Sequence, residues 1–254
     1  MTGAFGRFAS ALGGLMVVLL LWEVIVRAMS IPPVTLPVPS AVLMELAAEP
    51  GWYLNHTLYT VGTTLAGFAL AVVVGILLAV LIVSSRFFDN TFYPIIVAMN
   101  SVPKVAVAPL FVIWLGTGAE PKIAIGFLIS VFAIIVDTVL GLRSVPQDVR
   151  DLGQVLKGTR LKVFMKIRFP IALPHIFSGM KVAIGLALVG AIVGEFVSSQ
   201  KGLGYVILTA QGMFDTVRVF AAVAILALLG IGMFWLLNVA ERLLIPWHAS
   251  SQRE

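Results

Sequence analysis

Six stretches of the chain, at about 9–29, 57–83, 93–116, 122–142, 176–198 and 217–240, stay apolar for about twenty residues or more. The hydrocarbon core of a bilayer is about 30 Å thick and an α-helix rises about 1.5 Å per residue, so each stretch is long enough to cross it. In lipid the backbone must satisfy its own N–H and C=O groups, which leaves helices or closed barrels. These stretches lack the two-residue alternation of barrel strands, so they read as helices. Composition agrees: 60% of residues are hydrophobic and 11% charged, where a soluble domain carries about 25% charged residues. The expectation is an all-α membrane protein, with residues 1–254 forming a single transmembrane domain of about six helices.

Arg7 ahead of the first apolar run gives the start of the chain the look of a signal peptide. The run continues for about twenty residues without a convincing small-x-small cleavage site, so an uncleaved first helix is expected. With no cysteine, disulfides, thiolate metal sites and iron–sulfur ligation are excluded. His56, His175 and His248 are isolated from one another in sequence, so neither a metal site nor a cofactor is expected. Basic residues carry the topology. Arg143, Arg150, Lys157, Arg160, Lys162, Lys166 and Arg168 crowd the segment between the fourth and fifth stretches. Arg7, Arg86, Arg242 and Arg253 fall on the same side if six helices alternate. Basic loops mark the cytoplasmic face, so both termini are expected in the cytoplasm, in a multi-pass plasma (inner) membrane protein. The net charge of +5 is then a topology signal, accounted for largely by anionic lipid and not by nucleic acid.

After the first stretch, Ile31–Val42 (IPPVTLPVPSAV) reads as rigid extended backbone, and Ser40 is placed to cap a short helix at 41–49. Gly62, Gly67 and Gly75 in the second stretch suit close helix packing. The third holds SVPKVAVAPLFVIWLGTG (Ser101–Gly118), in which Pro103 and Pro109 flank Lys104. Two prolines free backbone carbonyls that need protein or water, and Lys104 is costly against lipid. Irregular backbone lining a pathway and a helix broken near the cytoplasmic face both fit. Glu23, Asp137, Lys181 and Glu195 are the remaining intramembrane charges. Asp137 reads as hydrogen-bonded to a neighbouring helix, whereas Glu195 fits pathway lining and interface packing equally.

Charge is concentrated in the loop at 143–175. Ser144-Val145-Pro146-Gln147 has the pattern of a capping box. Val145, Val149, Leu152 and Leu156 then recur at helical spacing, with Asp148, Arg150, Asp151, Gln154 and Lys157 around them. Gly158 stands where a left-handed cap is needed. Thr159 is placed to cap a second helix at 160–168, which Pro170 and Pro174 are expected to stop. Two short amphipathic helices hinged at a glycine suit docking to a soluble protein, and equally suit lying on lipid headgroups. The same loop contains GQVLKGTR, which opens like a phosphate-binding loop. Gly158 is followed by Thr159-Arg160, however, and no strand precedes it, so the match is a decoy. The chain is expected not to be an enzyme; any nucleotide chemistry lies on another polypeptide.

Gly158, the ending Ile167-Arg168-Phe169-Pro170 and the following Ala172-Leu173-Pro174 resemble the cytoplasmic signature of permease subunits of binding-protein-dependent ABC importers with the type I fold. That signature opens with an acidic-Ala-Ala triplet, replaced here by Leu152-Gly153-Gln154 with Asp151 the nearest carboxylate. The resemblance extends through Leu36-Pro37-Val38-Pro39-Ser40, Thr60…Gly67-Phe68 and Val102-Pro103…Ala106…Pro109-Leu110…Trp114…Gly116. Gly141-Leu142 and Glu195…Lys201-Gly202-Leu203-Gly204-Tyr205 complete it and point to the nitrate, sulfonate and taurine branch. Asp137 stands where this branch commonly shows Asn, which marks it as a position tuned to the solute.

The resemblance implies a homodimer with a second permease copy, two cytoplasmic ATPase subunits, an external solute-binding protein and a small solute such as a sulfonate. It implies alternating access driven by ATP on the partner. A coupling helix around 145–157 would seat on the ATPase, with Asp148, Asp151, Leu152, Gly153, Gln154, Gly158, Arg160 and Pro170 as coupling residues. Pro103, Lys104, Pro109, Asp137 and Glu195 are the candidate pathway residues. The rival reading is an ion-gradient-driven secondary transporter, which calls for internal repeats with matched broken helices and intramembrane acid pairs. Only one strongly broken stretch is visible in this chain. A second rival is a scaffold whose basic loop merely binds lipid. Replacing Gly158 with isoleucine is expected to uncouple ATP hydrolysis from uptake while membrane insertion stays intact. Normal uptake by that variant would count against the hinged platform.

Overall fold

The computed structural model describes residues 2–146, 148–149 and 159–247. Among these the regular structure is entirely helical. The first elements are α1 (Thr2–Ala28), α2 (Pro39–Ala48), α3 (Pro50–Ser84) and α4 (Arg86–Asn100). A 3₁₀ turn (Lys104–Val107) leads into α5 (Ala108–Leu115), followed by α6 (Glu120–Arg143). Next, α7 (Arg160–Val163) passes through a π turn (Phe164–Arg168) into α8 (Phe169–Val197). The last two elements are α9 (Leu203–Gly212) and α10 (Thr216–Leu244). Among the described residues, four helices are long and apolar enough to cross a membrane: α3, α6, the run Leu161–Val197, and α10. Helix α4 and the segment Lys104–Leu115 qualify together as a fifth, bent by 87° at their junction. The remaining predicted stretch, 9–29, falls on α1.

Two predicted boundaries change. The stretch 93–116 is no single helix, because the chain leaves α4 at Ser101–Pro103, where the Val102 N–H closes back on the Met99 carbonyl at 3.2 Å. Conversely, Pro170 and Pro174 do not stop the helix that Thr159 begins. Pro170 occupies the first turn of α8 and Pro174 lies inside it. A proline removes one N–H and crowds the carbonyl four residues back. The π turn immediately before Pro170 widens the ladder there, so the helix passes through without ending.

Contacts divide the chain into two units, Met1–Leu58 with Lys201–Ala227, and Tyr59–Gln200 with Leu228–Glu254. In the first, the Glu23 carboxylate accepts from the Ser40 N–H at 3.0 Å and from its hydroxyl at 2.8 Å. Ser40 was expected to cap the short helix; instead Glu23 reaches across from α1 and satisfies an orphan amide in the first turn of α2. Arg218 Nε donates to Glu45 at 3.0 Å, and the guanidinium lies 5.2 Å from the Trp52 ring. Gly202, at φ +103, starts α9 and donates its N–H to His56 Nδ1 at 3.0 Å. Only glycine adopts that backbone conformation readily.

The second unit is built on α6 and α8, which run antiparallel in one register. A Cβ placed on Gly190 would lie 2.6 Å from the Gly126 Cα, and one on Gly194 would lie 2.9 Å from the Lys122 Cα. Similar contacts recur further along, between Gly179 and Asp137 and between Gly141 and His175. Such approach lets backbones touch, which is how helices gain van der Waals contact in lipid, where no hydrophobic force drives them together. Helix α3 joins through Gly67 and Gly75 as expected, while Gly62 faces open space. Phe68, Ala71, Ala79 and Ile82 of α3 complete a core with Ile134, Ile135, Ala183 and Ile184. Lys181 of α8 pairs with Glu241 of α10 at 2.6 Å, and both side chains are largely buried.

Replacing Gly190 with valine is expected to destabilise the protein by about 3 kcal/mol, since backbone atoms cannot yield. Gly185, on the same helix with nothing within 4 Å, should accept valine with little loss of thermal stability in detergent. Lys181→Met or Glu241→Leu alone strands a charge and should cost about 3 kcal/mol, while the double variant recovers much of it. Additive losses in melting temperature would show that the pair is not coupled.

Candidate functional site

The return between α6 and α7 is anchored on both sides. Arg143, in the last turn of α6, pairs with Asp89 of α4 and lies 4.9 Å from the Tyr93 ring. Arg168 Nη2 donates to the Leu142 carbonyl at 3.1 Å, which ties the entry of α8 to the end of α6. Ser144 was expected to cap the following helix. Its backbone remains in the α region and its hydroxyl donates back to the Gly141 carbonyl at 2.8 Å, so it ends α6 instead. Thr159 does cap α7, its Oγ1 accepting from the Lys162 N–H at 3.4 Å. Among the candidate coupling residues, Asp148 is helical and exposed, and Pro170 is half-buried. Asp151, Leu152, Gly153, Gln154 and Gly158 lie outside the described residues. Arg160 opens α7, but its side chain lies outside the description.

The candidate pathway residues separate into distinct environments. Pro103 and Pro109 are exposed on either side of the 3₁₀ turn. Lys104 is half-buried; its Nζ donates to Asn100 Oδ1 at 2.6 Å and to the Asn100 carbonyl at 3.3 Å, and lies 4.4 Å from the Phe132 ring centroid. Glu195 is 1% exposed and accepts from the Thr60 hydroxyl of α3 at 2.8 Å. Asp137 is half-buried against Gly179. Among the described residues it takes no hydrogen bond, contrary to expectation, because the facing residue has no side chain to supply a donor.

Lys122 is the residue that sequence reasoning missed. It is fully buried, and its Nζ donates to the carbonyls of Thr117 at 2.8 Å, Gly118 at 2.7 Å and Ser198. The ammonium thereby fastens the loop before α6 to the C-terminal end of α8, where carbonyls lack helical partners and the helix dipole favours a cation. The available signal was a lysine at the head of an apolar run, just after the loose backbone of Gly116-Thr117-Gly118. The arrangement positions isolated charges along packed helices; among the described residues no three His, Cys, Asp or Glu converge as a metal site.

Comparison with known proteins matches this architecture. The family model described as binding-protein-dependent transport system inner membrane component covers residues 71–245. The riboflavin transport system permease protein RibX of Chloroflexus aurantiacus is 35% identical over 238 residues, 93% of this chain and 89% of that protein. The taurine transport system permease protein TauC of Escherichia coli is 30% identical over 250 residues, 95% of this chain and 90% of that protein. Among solved structures, the inward-facing MetNI methionine ABC transporter superposes with a TM-score of 0.62 at 18% identity, covering 77% of this chain and 95% of its own. That likeness shows the type I importer permease fold. On these matches the chain belongs to the family of binding-protein-dependent transport system inner membrane components, the permeases of ABC importers.

Proposed function

We propose that this chain is the membrane-spanning subunit of an ABC importer that carries a small solute into the cytoplasm by alternating access, driven by ATP on separate subunits. The single observation that carries the reading is the α6–α8 pair. These helices are 24 and 29 residues long, rods of about 36 and 44 Å, in backbone contact along their seam. Arg143 ties the end of α6 to α4, and Arg168 ties the entry of α8 to the end of α6, on either side of the connection between the two rods. A push or pull delivered to that connection would reach both rods together, which suits coupling to an ATPase through residues such as Asp148, Gly158 and Pro170. Two copies would enclose a path, with both termini and the return in the cytoplasm, as the basic residues indicate. The solute is a small organic anion such as a sulfonate, supported by the likeness to the taurine permease. An external binding protein selects it.

The test is ATP-driven uptake by vesicles containing this chain with its ATPase and binding protein. Taurine, an alkanesulfonate and riboflavin form the probe set. Uptake of at least one sulfonate is expected, abolished when the phosphate-binding lysine of the ATPase is replaced. Uptake that ignores ATP but collapses with an ion gradient would support a secondary transporter, and failure of any ATPase to co-purify would overturn the proposal.

A further inference from the structure

Most cations within the described apolar helices are answered by the protein itself. Lys181 has Glu241, Arg218 has Glu45, Arg143 has Asp89, and Lys122 has three carbonyls that no helix uses. Lys104 differs. It forms no ion pair with a described carboxylate, and its partners are an amide oxygen, a carbonyl and a ring face, all neutral. These contacts hold the ammonium in place without cancelling its charge. A cation–π contact contributes about 0.5–2 kcal/mol, and neither it nor the Asn100 oxygens supplies a full negative charge.

Its position adds a second, independent observation. Lys104 is the first residue after the 87° break between α4 and Lys104–Leu115, where Ser101, Val102 and Pro103 are exposed and the backbone leaves the helical ladder. Irregular backbone at membrane depth is tolerated only against protein or a water-filled cavity, and an unneutralised cation obeys the same constraint. Asn100 and Phe132 hold the ammonium beside the exposed break at 101–103.

We propose that the break at 101–103 forms an anion-selective site, in which Lys104, steadied by Asn100 and Phe132, offers its charge to the sulfonate or carboxylate of a solute in transit. This rests on reading the chain as an importer permease, and it deepens that reading by assigning the charge-reading residue to the permease as well as to any external protein. A fixed cation in a low-dielectric cleft concentrates anions locally.

The chain has no cysteine, so Ser101→Cys introduces its single thiol three residues from Lys104. In the assembled complex, in phosphatidylcholine vesicles, the thiol's reaction rate is measured with anionic methanethiosulfonate ethylsulfonate and with its cationic trimethylammonium analogue. Each rate is normalised to that of a free thiol. The anionic reagent is expected to be favoured about tenfold. Lys104→Gln should abolish the preference and Lys104→Arg retain it, while millimolar ethanesulfonate slows labelling. A thiol that water-borne reagents cannot reach, or a preference indifferent to Lys104→Gln, overturns the site. Protection by phosphatidylglycerol but not by ethanesulfonate also overturns it, by assigning Lys104 to a lipid headgroup. Labelling needs no transport: the expected rates without ATP-driven uptake would refute the importer reading alone, and uptake with Lys104-independent rates would refute the site alone.

Discussion

Backbone contact between α6 and α8 is the constraint on which the second unit depends. At Gly126 and Gly190 no side chain separates the two helices, so the register cannot slide without a collision. That register brings Lys122 beneath the end of α8 at one extreme and Arg168 beside Leu142 at the other. In a solvent as apolar as the side chains, such contact replaces the hydrophobic effect as the source of specificity. The polar fastenings at both ends follow from it.

Charge in an apolar chain is the second organising theme. A buried ion persists only where geometry or a partner offsets its desolvation. Glu241 offsets Lys181, unpaired carbonyls receive Lys122, and Thr60 donates to Glu195. Glu23 and Ser40 show the same economy in the first unit, where an acid on one helix completes the N-terminus of the next. Lys104 departs from this pattern at the 87° break between α4 and Lys104–Leu115, and that coincidence of irregular backbone with a cation that has no described carboxylate partner distinguishes it.

Continuity of the helix sets the stiffness of the second unit. The π turn lets α7 continue through Pro170 into α8, which also holds Pro174 inside it, so the described element Leu161–Val197 is one long helix and not two hinged pieces. A proline taken alone argues for a stop, because it removes a donor and crowds a carbonyl. Widening the ladder by one residue relieves the crowding at Pro170, and nothing in the local sequence announces that widening. Ser144 and Ser40 misled for a related reason. Each hydroxyl has several nearby backbone or side-chain partners, and the choice among them depends on where neighbouring helices lie.

By itself the sequence determined the class, the helical character of its apolar stretches and the family, because apolar length and hydrogen-bond closure leave few structures in a bilayer and because ordered motifs cover nearly the whole chain. It also located Thr159 as a cap and Gly67 and Gly75 as packing positions, since both depend on neighbours close in sequence or on residue size alone. Only the tertiary structure decided which charges are answered and by whom. Lys122 meets Ser198, Lys181 meets Glu241 and Glu195 meets Thr60 across wide separations in the chain. Asp137, expected to find a donor, faces a glycine instead. Partner choice is set by helix register and rotation, and these are properties of packed surfaces that no single segment contains.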